Sequence, residues 1–427
     1  MAFPRIPDSC KIEQWHNLPC LLTEEYAVLF SYVGDNLVCT RVSKEFLNSP
    51  EIFEEVQKSK LLDCLSETGQ KEIIVKQVTL CLTERCNCKC KYCFLDANTT
   101  GSSMSIETMH RSLDFAFNKY RGHLVILSAF GGEPGTREDL IREMVRYAES
   151  RKDHYDVAVQ YAITTNGVIS DSLIQFLIEW RFVCTLSVDG VEVVQNYQRP
   201  LANGTASFPR VHHTMRLLAD AGLYLKVRST VTAFSAPFME ESVHFWGKLG
   251  VRQIHFEPVT PAGRALSDNE GATTPPSPEE YGFHILNCID VAREYNAKIN
   301  FSFCSRCTGI MKNKMIVGAN GMISSCVEVQ SDKHEFSDFF RVGEVNPDSG
   351  EINEYASKIV ATAPEQYFRK EKCSKCPYKI FCRESCPIRN YRATGDFHQT
   401  EPFKCDLYHC IMPDILYNLY LTTYSNS

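Results

Sequence analysis

Cys86, Cys90 and Cys93 stand in the spacing C-x3-C-x2-C, inside the run CLTERCNCKCKYCF that spans Cys81 to Phe94. Three thiolates on one short loop can face one corner of a [4Fe–4S] cube and leave one iron for a fourth, non-protein ligand. A second field lies downstream: Cys304, Cys307, Cys326, Cys373, Cys376, Cys382, Cys386, Cys405 and Cys410. It reads C-x13-G-x4-C from Cys307 to Cys326, then C-x2-C-x5-C-x3-C from Cys373 to Cys386. By spacing alone this field is open between a zinc ribbon and iron–sulfur ligation. Cys81, Cys88, Cys410 and the scattered Cys10, Cys20, Cys39, Cys64, Cys184 and Cys288 read as packing or surface thiols, because free cysteine behaves as a small hydrophobe.

The chain around these cysteines has 427 residues, a formal net charge of −7, 44% hydrophobic and 23% charged residues. Such a chain is expected to form two or three domains with a sizeable core and no broad nucleic-acid footprint. The first twenty residues hold no apolar signal segment, and no stretch reaches the length of a membrane span. The expectation is a cytoplasmic protein with no nucleic acid and no membrane among its partners. Twenty cysteines in a reducing compartment favour metal or cluster binding over disulfides.

The elements that must position the first cluster alternate. From about residue 73, strand-like runs (EIIVKQVTLCLT, HLVILSAF, YDVAVQYAITT, FVCTLSV, YLKVRSTVT, VRQIHFEPV) alternate with six stretches of helical spacing, the first opened by Ser105 as a candidate N-cap. Six β/α repeats imply α/β architecture with a parallel sheet, either an open doubly wound sheet or a partial (β/α)6 TIM-like barrel. The unusual motifs follow strand ends, where function sits in both architectures: the cysteine run, then GGEP, TTNG and SVDG. Residues 1–72 read as a separate small α+β unit, with a strand–turn–strand around Gly34–Asp35 and a helical stretch near residues 49–68. Residues 263–277 read as a polar Gly/Pro-rich loop, and beyond residue 301 periodicity fades.

The cysteine triad with GGEP one β/α unit later resembles the radical S-adenosylmethionine (SAM) enzymes, and the downstream field resembles their SPASM extension, over roughly residues 75 to 410. The resemblance implies a radical SAM partial barrel over 73–300 and a cysteine-rich SPASM domain over 301–427. It implies Cys86, Cys90 and Cys93 as ligands of one [4Fe–4S] cluster, with the aromatic Tyr92 before the last of them. S-adenosyl-L-methionine would chelate the unique iron. Gly131, Gly132 and Glu133 would border its amino group; Thr165 and Asn166 would line its ribose or methionyl part. Ser187 and Asp189 would stand at the fourth strand end, with Arg199 or Arg228 supplying charge to the carboxylate; each arginine also fits an ordinary ion pair. Two auxiliary [4Fe–4S] clusters would make three in all, one on Cys304, Cys307, Cys326 and Cys386, the other on Cys373, Cys376, Cys382 and Cys405.

The implied reaction begins with a 5′-deoxyadenosyl radical that takes hydrogen from an unactivated carbon. The implied substrate is a ribosomally made precursor peptide, crosslinked through a thioether or carbon–carbon bond, with a flavodoxin- or ferredoxin-type electron donor. The alternatives are sulfatase maturation by formylglycine formation, biosynthesis of a peptide-derived redox cofactor, and a non-enzymatic zinc- or cluster-binding module. In sulfatase-maturing relatives an acidic residue directly follows the cysteine of G-x4-C; here Val327 holds that place, with Glu328 beside it. Residues 1–72 fit either a leader-peptide recognition unit working by β-addition or a plain structural cap. No residue stands out as the catalytic base.

Overall fold

The computed structural model describes residues 5–15, 18–33, 36–44, 47, 76–267, 273–301, 314–346, 351–355, 373, 375–378 and 386–424. The expected helix near residues 49–68 lies outside them.

The chain opens on an antiparallel meander, β1 (Lys11–Trp15), β2 (Leu18–Leu22), β3 (Tyr26–Val33) and β4 (Asn36–Ser43), paired in that order. Val33 pairs with Asn36, so β3 and β4 flank the expected turn. A second sheet carries the rest. Its centre comprises β5 (Lys76–Thr83), α1 (Ile106–Lys119), β6 (Leu124–Gly131), α2 (Glu138–Arg151), β7 (Ala158–Thr165), α3 (Asp171–Glu179), β8 (Val183–Ser187), α4 (Glu192–Gln198), α5 (Phe208–Asp220), β9 (Leu225–Val231), α6 (Met239–Lys248), β10 (Gln253–Pro258) and α7 (Pro278–Glu294). Serine N-caps start three of these helices: Ser105, Ser170 and Ser277 accept from the backbone N–H of Thr108, Leu173 and Glu280.

Strands β5 to β10 lie side by side in chain order, each parallel to the next. A doubly wound sheet reverses its strand order; this one does not. Successive right-handed crossovers in one direction place every helix on the same face. The strands agree. Val125 and Leu127, Ile163, Cys184 and Leu186, Leu225 and Val227, and Ile254 and Phe256 enter the main core with Met109, Leu113, Leu140, Ile141 and Trp246. From β7 onward most of their alternates, among them Thr164, Thr185, Ser187, Lys226, Arg228, Thr230, Gln253, His255 and Glu257, are polar and partly or fully exposed. A sheet buried between two helix layers would be apolar on both faces.

The sheet extends at both ends. After α7, β11 (Lys298–Phe301) adds parallel to β10. On the other side β12 (Lys314–Val317) runs parallel to β5, followed by β13 (Met322–Ser324), the short helix α8 (Ser337–Phe340), β14 (Arg341–Val345) and β15 (Ile352–Glu354) in antiparallel order. The fading periodicity beyond residue 301 therefore conceals ordered strands, three to five residues long, too short to show a period. Two helices close the chain, α9 (Pro387–Thr394) and α10 (Pro402–Tyr424). Helix α10 clasps the N-terminal meander: Asp414 accepts from Arg5 Nη1 at 2.6 Å and Ile6 N at 2.8 Å, and Arg41 lies over the rings of Tyr26 and Tyr424 at 4.3 and 4.5 Å. Leu21, Val28 and Phe30 of the meander belong to the main core.

Candidate active site

The loop after β5 brings Cys86, Cys88 and Cys90 into one small buried cluster with Tyr92 and Val259, and Cys93 packs against it. Backbone bonds hold the loop on both sides. Cys86 N donates to Asn98 O at 2.7 Å, Lys89 N to Pro200 O at 2.8 Å, and Lys91 N to Gln198 O at 3.0 Å. Across the next loop, Gly132 N donates to Thr83 O and Glu133 N to Arg85 O, at 2.7 and 2.8 Å. This approach explains the glycine pair. Gly131 has φ +142°, and a Cβ there would lie 2.2 Å from Thr83 O.

Donors already point at the sulfurs. Cys86 Sγ accepts from Cys88 N at 3.4 Å and Asn166 Nδ2 at 3.7 Å; Cys90 Sγ accepts from Arg199 Nη1 at 3.7 Å. Burial, then the nearby Glu133 charge, pushes the Cys86 thiol up to about 12. Burial raises Cys90 to about 11, although Arg199 pulls the other way. Neighbouring thiols that each raise the other's pKa cannot ionise together without positive charge between them. An iron–sulfur cluster supplies that charge, and donors to its sulfurs tune it. Among the described residues no three His, Cys, Asp or Glu side chains converge as ligands of a single metal ion. A cube is wider than an ion and is gripped from outside, so the donor set fits a cluster better than a lone cation.

Asp189 is a buried hub beneath this loop. Its carboxylate accepts from the Tyr92 hydroxyl, from Gln198 Nε2 at 2.7 Å and from Thr230 N at 3.0 Å, and pairs with Arg199 Nε at 3.0 Å. Arg199 lies 5.2 Å over the Tyr92 ring. The sequence motif SVDG thus puts its acid under the cysteine loop, fully engaged with protein. Glu133 does similar work two strands earlier. It accepts from Thr165 Oγ1 at 2.7 Å, Asn166 N at 2.6 Å and Gly135 N at 2.9 Å. Burial pushes its carboxyl up to about 7 against the lowering effect of those bonds. Arg228 stands apart from Arg199. It sits beside Ser187 in register on the partly exposed sheet face, 4.0 Å from Glu257.

Arg264 was not singled out by the sequence, which assigned its loop to a polar linker. Its guanidinium donates to Cys90 O at 2.7 Å and to Ala97 O and pairs with Asp96 at 2.8 Å, while its N–H meets Cys93 O at 3.0 Å. Gly263 before it has φ +51°, and a Cβ there would lie 2.3 Å from Cys93 O. A Gly-Arg pair in the loop after the sixth strand was the available signal.

In the second field Cys326 and Cys386 pack in one apolar cluster with Met322, Val329 and Ile388. Cys373 and Cys376 are joined by the bond from Cys376 N to Cys373 O at 3.4 Å, and Cys405 lies in the first turns of α10. Cys304, Cys307 and Cys382 lie outside the described residues. Cys81, Cys184 and Cys288, read as packing thiols, are buried in the core.

Residues 80–234 match the family model described as the Radical SAM superfamily. A cysteine-type anaerobic sulfatase-maturating enzyme of Clostridium perfringens is 22% identical over 322 residues, covering 70% of this chain and 85% of that protein. In fold the chain is similar to native anSMEcpe with bound AdoMet, with a TM-score of 0.66 at 18% identity over 81% of this chain and 98% of that one. It is also similar to Streptococcus suis SuiB bound to precursor peptide SuiA, with a TM-score of 0.55 at 14% identity over 92% of this chain and all of the other.

Proposed function

Because this chain is a radical SAM enzyme, we propose that it matures a ribosomally made precursor peptide, forming a thioether or carbon–carbon crosslink. The family implies a [4Fe–4S] cluster and AdoMet; bound together, they supply a 5′-deoxyadenosyl radical that takes a hydrogen atom from an unactivated carbon. Cys86, Cys90 and Cys93 hold the cluster, and Arg199 and Asn166 donate to the cysteine sulfurs. Gly131 and Gly132 let AdoMet approach the backbone, and Ser187 with Arg228 holds its carboxylate. Glu133, Thr165 and Asp189 keep the strand ends in place around it. These side chains stand at the ends of a partial (β/α)6 barrel, with a SPASM domain behind them. Its two auxiliary clusters take Cys304, Cys307, Cys326 and Cys386, and Cys373, Cys376, Cys382 and Cys405. The packing of Cys326 and Cys386 against the same apolar cluster supports the first set. A flavodoxin or ferredoxin supplies the electron.

The observation that carries the peptide reading is the extra meander β1–β4 ahead of the radical SAM domain. Among the described residues its edge strands are β1 and β4, and Tyr424 already bonds to β4 at Cys39 O and Arg41 N. Strand β1 is therefore the edge that would take a leader peptide by β-addition. The meander's share in the main core makes deletion of residues 1–72 a poor test of this role. The test is an anaerobic reaction of the reconstituted enzyme with AdoMet, reductant and a short peptide encoded beside its gene, read by mass spectrometry. Loss of two hydrogens from the peptide is expected; an unchanged peptide with AdoMet consumed would refute the reading.

Sulfatase maturation is the second reading, favoured by the likeness to a sulfatase-maturating enzyme over 85% of that protein's length. Against it stands Val327 in place of the acid. Conversion of a sulfatase-derived cysteine peptide to formylglycine would decide for it.

A further inference from the structure

The open face of the sheet is unevenly charged. Leu225, Val227 and Ile254 enter the main core and Ile299 packs against it. Their alternates Lys226, Arg228, Gln253 and Lys298 therefore project from the other side of the sheet, away from the helices. Register arranges that side in rows. Thr185, Lys226, Gln253 and Lys298 are matched across β8, β9, β10 and β11. Two residues nearer the carboxyl ends, Ser187, Arg228, His255 and Asn300 are matched likewise. With strands about 4.8 Å apart, the backbone at Lys226 stands roughly 10 Å from that at Lys298. Lys226 and Arg228 are about 7 Å apart along β9.

Acids do not offset these cations. Among the described strand residues of β7 to β11, Glu257 is the one acid on this face. It is already engaged by Arg389 and by His255 at 3.1 Å, with Arg228 at 4.0 Å. Lys226 lies 5.8 Å over the Tyr224 ring, and among the described residues neither Lys226 nor Lys298 pairs with a carboxylate. The helix side is different. Arg111, Arg142, Arg146, Arg151 and Lys152 of α1 and α2 each pair with an acid at 2.6 to 3.0 Å. A chain with 52 acidic and 45 basic residues thus leaves lysines without acids on the face bordered by the cysteine loop. That face is no plain outer surface, since Arg389 brings α9 to it through Glu257.

We propose that this face holds an acidic stretch of the peptide substrate, with two carboxylates, two or three residues apart, meeting Lys226 and Lys298; the inference rests on the peptide-maturase reading. The spacing follows from the sheet. An extended peptide advances about 3.3 Å per residue, so two or three residues span roughly 7 to 10 Å. Flexible lysine stems take up the remainder, and an ammonium is a point charge that demands no fixed approach. The face therefore selects charge rather than one sequence. Arg228 remains with the AdoMet carboxylate, so the acidic stretch lies on the side away from AdoMet and the reacting residue lies on the side of the cysteine loop.

The test uses the reconstituted full-length enzyme with AdoMet, two fluorescein-labelled probes, hexaglutamate and hexaglutamine, and the precursor peptide encoded beside the gene. Anisotropy should show hexaglutamate binding, no hexaglutamine binding, and displacement of hexaglutamate by the precursor. The double variant Lys226→Gln with Lys298→Gln should weaken hexaglutamate binding about 10-fold, the scale of two partly exposed charge pairs. It should raise KM for the precursor by a similar factor and move kcat far less. Lys226→Arg with Lys298→Arg should keep both near the wild type. Changing the precursor's Asp and Glu residues to Asn and Gln should raise KM for the wild type and add nothing in the Gln variant. Equal hexaglutamate binding by the wild type and the Gln variant overturns the proposal while leaving the maturase reading intact. Loss of AdoMet affinity in that variant, with hexaglutamate affinity kept, also overturns it and makes the AdoMet carboxylate the occupant. An unchanged precursor with AdoMet consumed by the wild type overturns the maturase reading and the substrate assignment with it.

Discussion

At the scale of single residues, the site is a set of buried charges that satisfy one another, and its weak points follow. Asp189 neutralises Arg199 and also receives Tyr92, Gln198 and Thr230. Removing one partner of a buried pair leaves the other uncompensated and costs about 3–5 kcal/mol. Asp189→Asn should therefore lower the denaturant midpoint by that equivalent, measured by chemical unfolding of the anaerobic protein; an unchanged midpoint would show that Asp189 is dispensable to the fold. Arg264→Gln removes charged hydrogen bonds to Cys90 O and Ala97 O, each worth about 1.5–3 kcal/mol. The cysteine loop should then load its cluster incompletely, seen as less than the wild-type iron content after identical reconstitution. The cysteines were readable in the sequence because spacing is itself a sequence property. Arg264, 171 positions from Cys93 in the chain, was not, because only folding brings its guanidinium to the loop. The partners of Asp189 and Glu133 were hidden for the same reason: the sequence marks a carboxylate without saying whether protein or ligand will occupy it.

At the scale of elements, six strands and their helices were readable because each is long enough for its period to show, and Ser105 marked a true helix start. The choice between a doubly wound sheet and a one-way sheet was not readable from period, since both give the same alternation; strand order and the polar face decide against the former. The strands β12 to β15, at three to five residues each, were missed because they lack the alternating helical stretches that frame even the five-residue β8. The junction of β5 and β6 has the least room. Gly131→Ala places a methyl against Thr83 O in a backbone conformation unfavourable to alanine. Strain and overpacking together should cost roughly 2–5 kcal/mol. Loss of AdoMet binding by equilibrium dialysis checks the expectation, and wild-type affinity would refute it. Strand β1 makes the other element-scale prediction. If the leader adds there, the precursor peptide should slow amide hydrogen exchange in Lys11–Trp15 and leave Asn36–Ser43 unchanged, because Tyr424 already bonds to the backbone of β4. Protection at β4 alone would contradict it.

At the scale of the whole molecule, the N-terminal meander, the parallel sheet and the last helix form one continuous apolar core, with Leu21, Phe117, Trp246 and Leu416 in the same cluster. The sequence divided the chain by composition, at residues 72 and 300, whereas the second sheet runs on past the latter through β11 to β15. Composition marks a change of chemistry, and sheets form across such a change when edge strands find partners. The C-terminal helix then ties the ends: Asp414→Ala should release Arg5 and Ile6 and open residues 5–10 to limited proteolysis, without loss of the parallel-sheet core. All of this serves one claim, that the loop Cys86–Cys93 holds a radical-generating cluster apart from the cysteines downstream. The measurement that tests it most directly is metal analysis with AdoMet turnover, on anaerobically reconstituted wild type and on the variant with Cys86, Cys90 and Cys93 all changed to Ala. The account predicts about twelve irons in the wild type, about four fewer in the variant, and 5′-deoxyadenosine from the wild type alone. Stoichiometric zinc with little iron, or undiminished AdoMet cleavage by the variant, would contradict it.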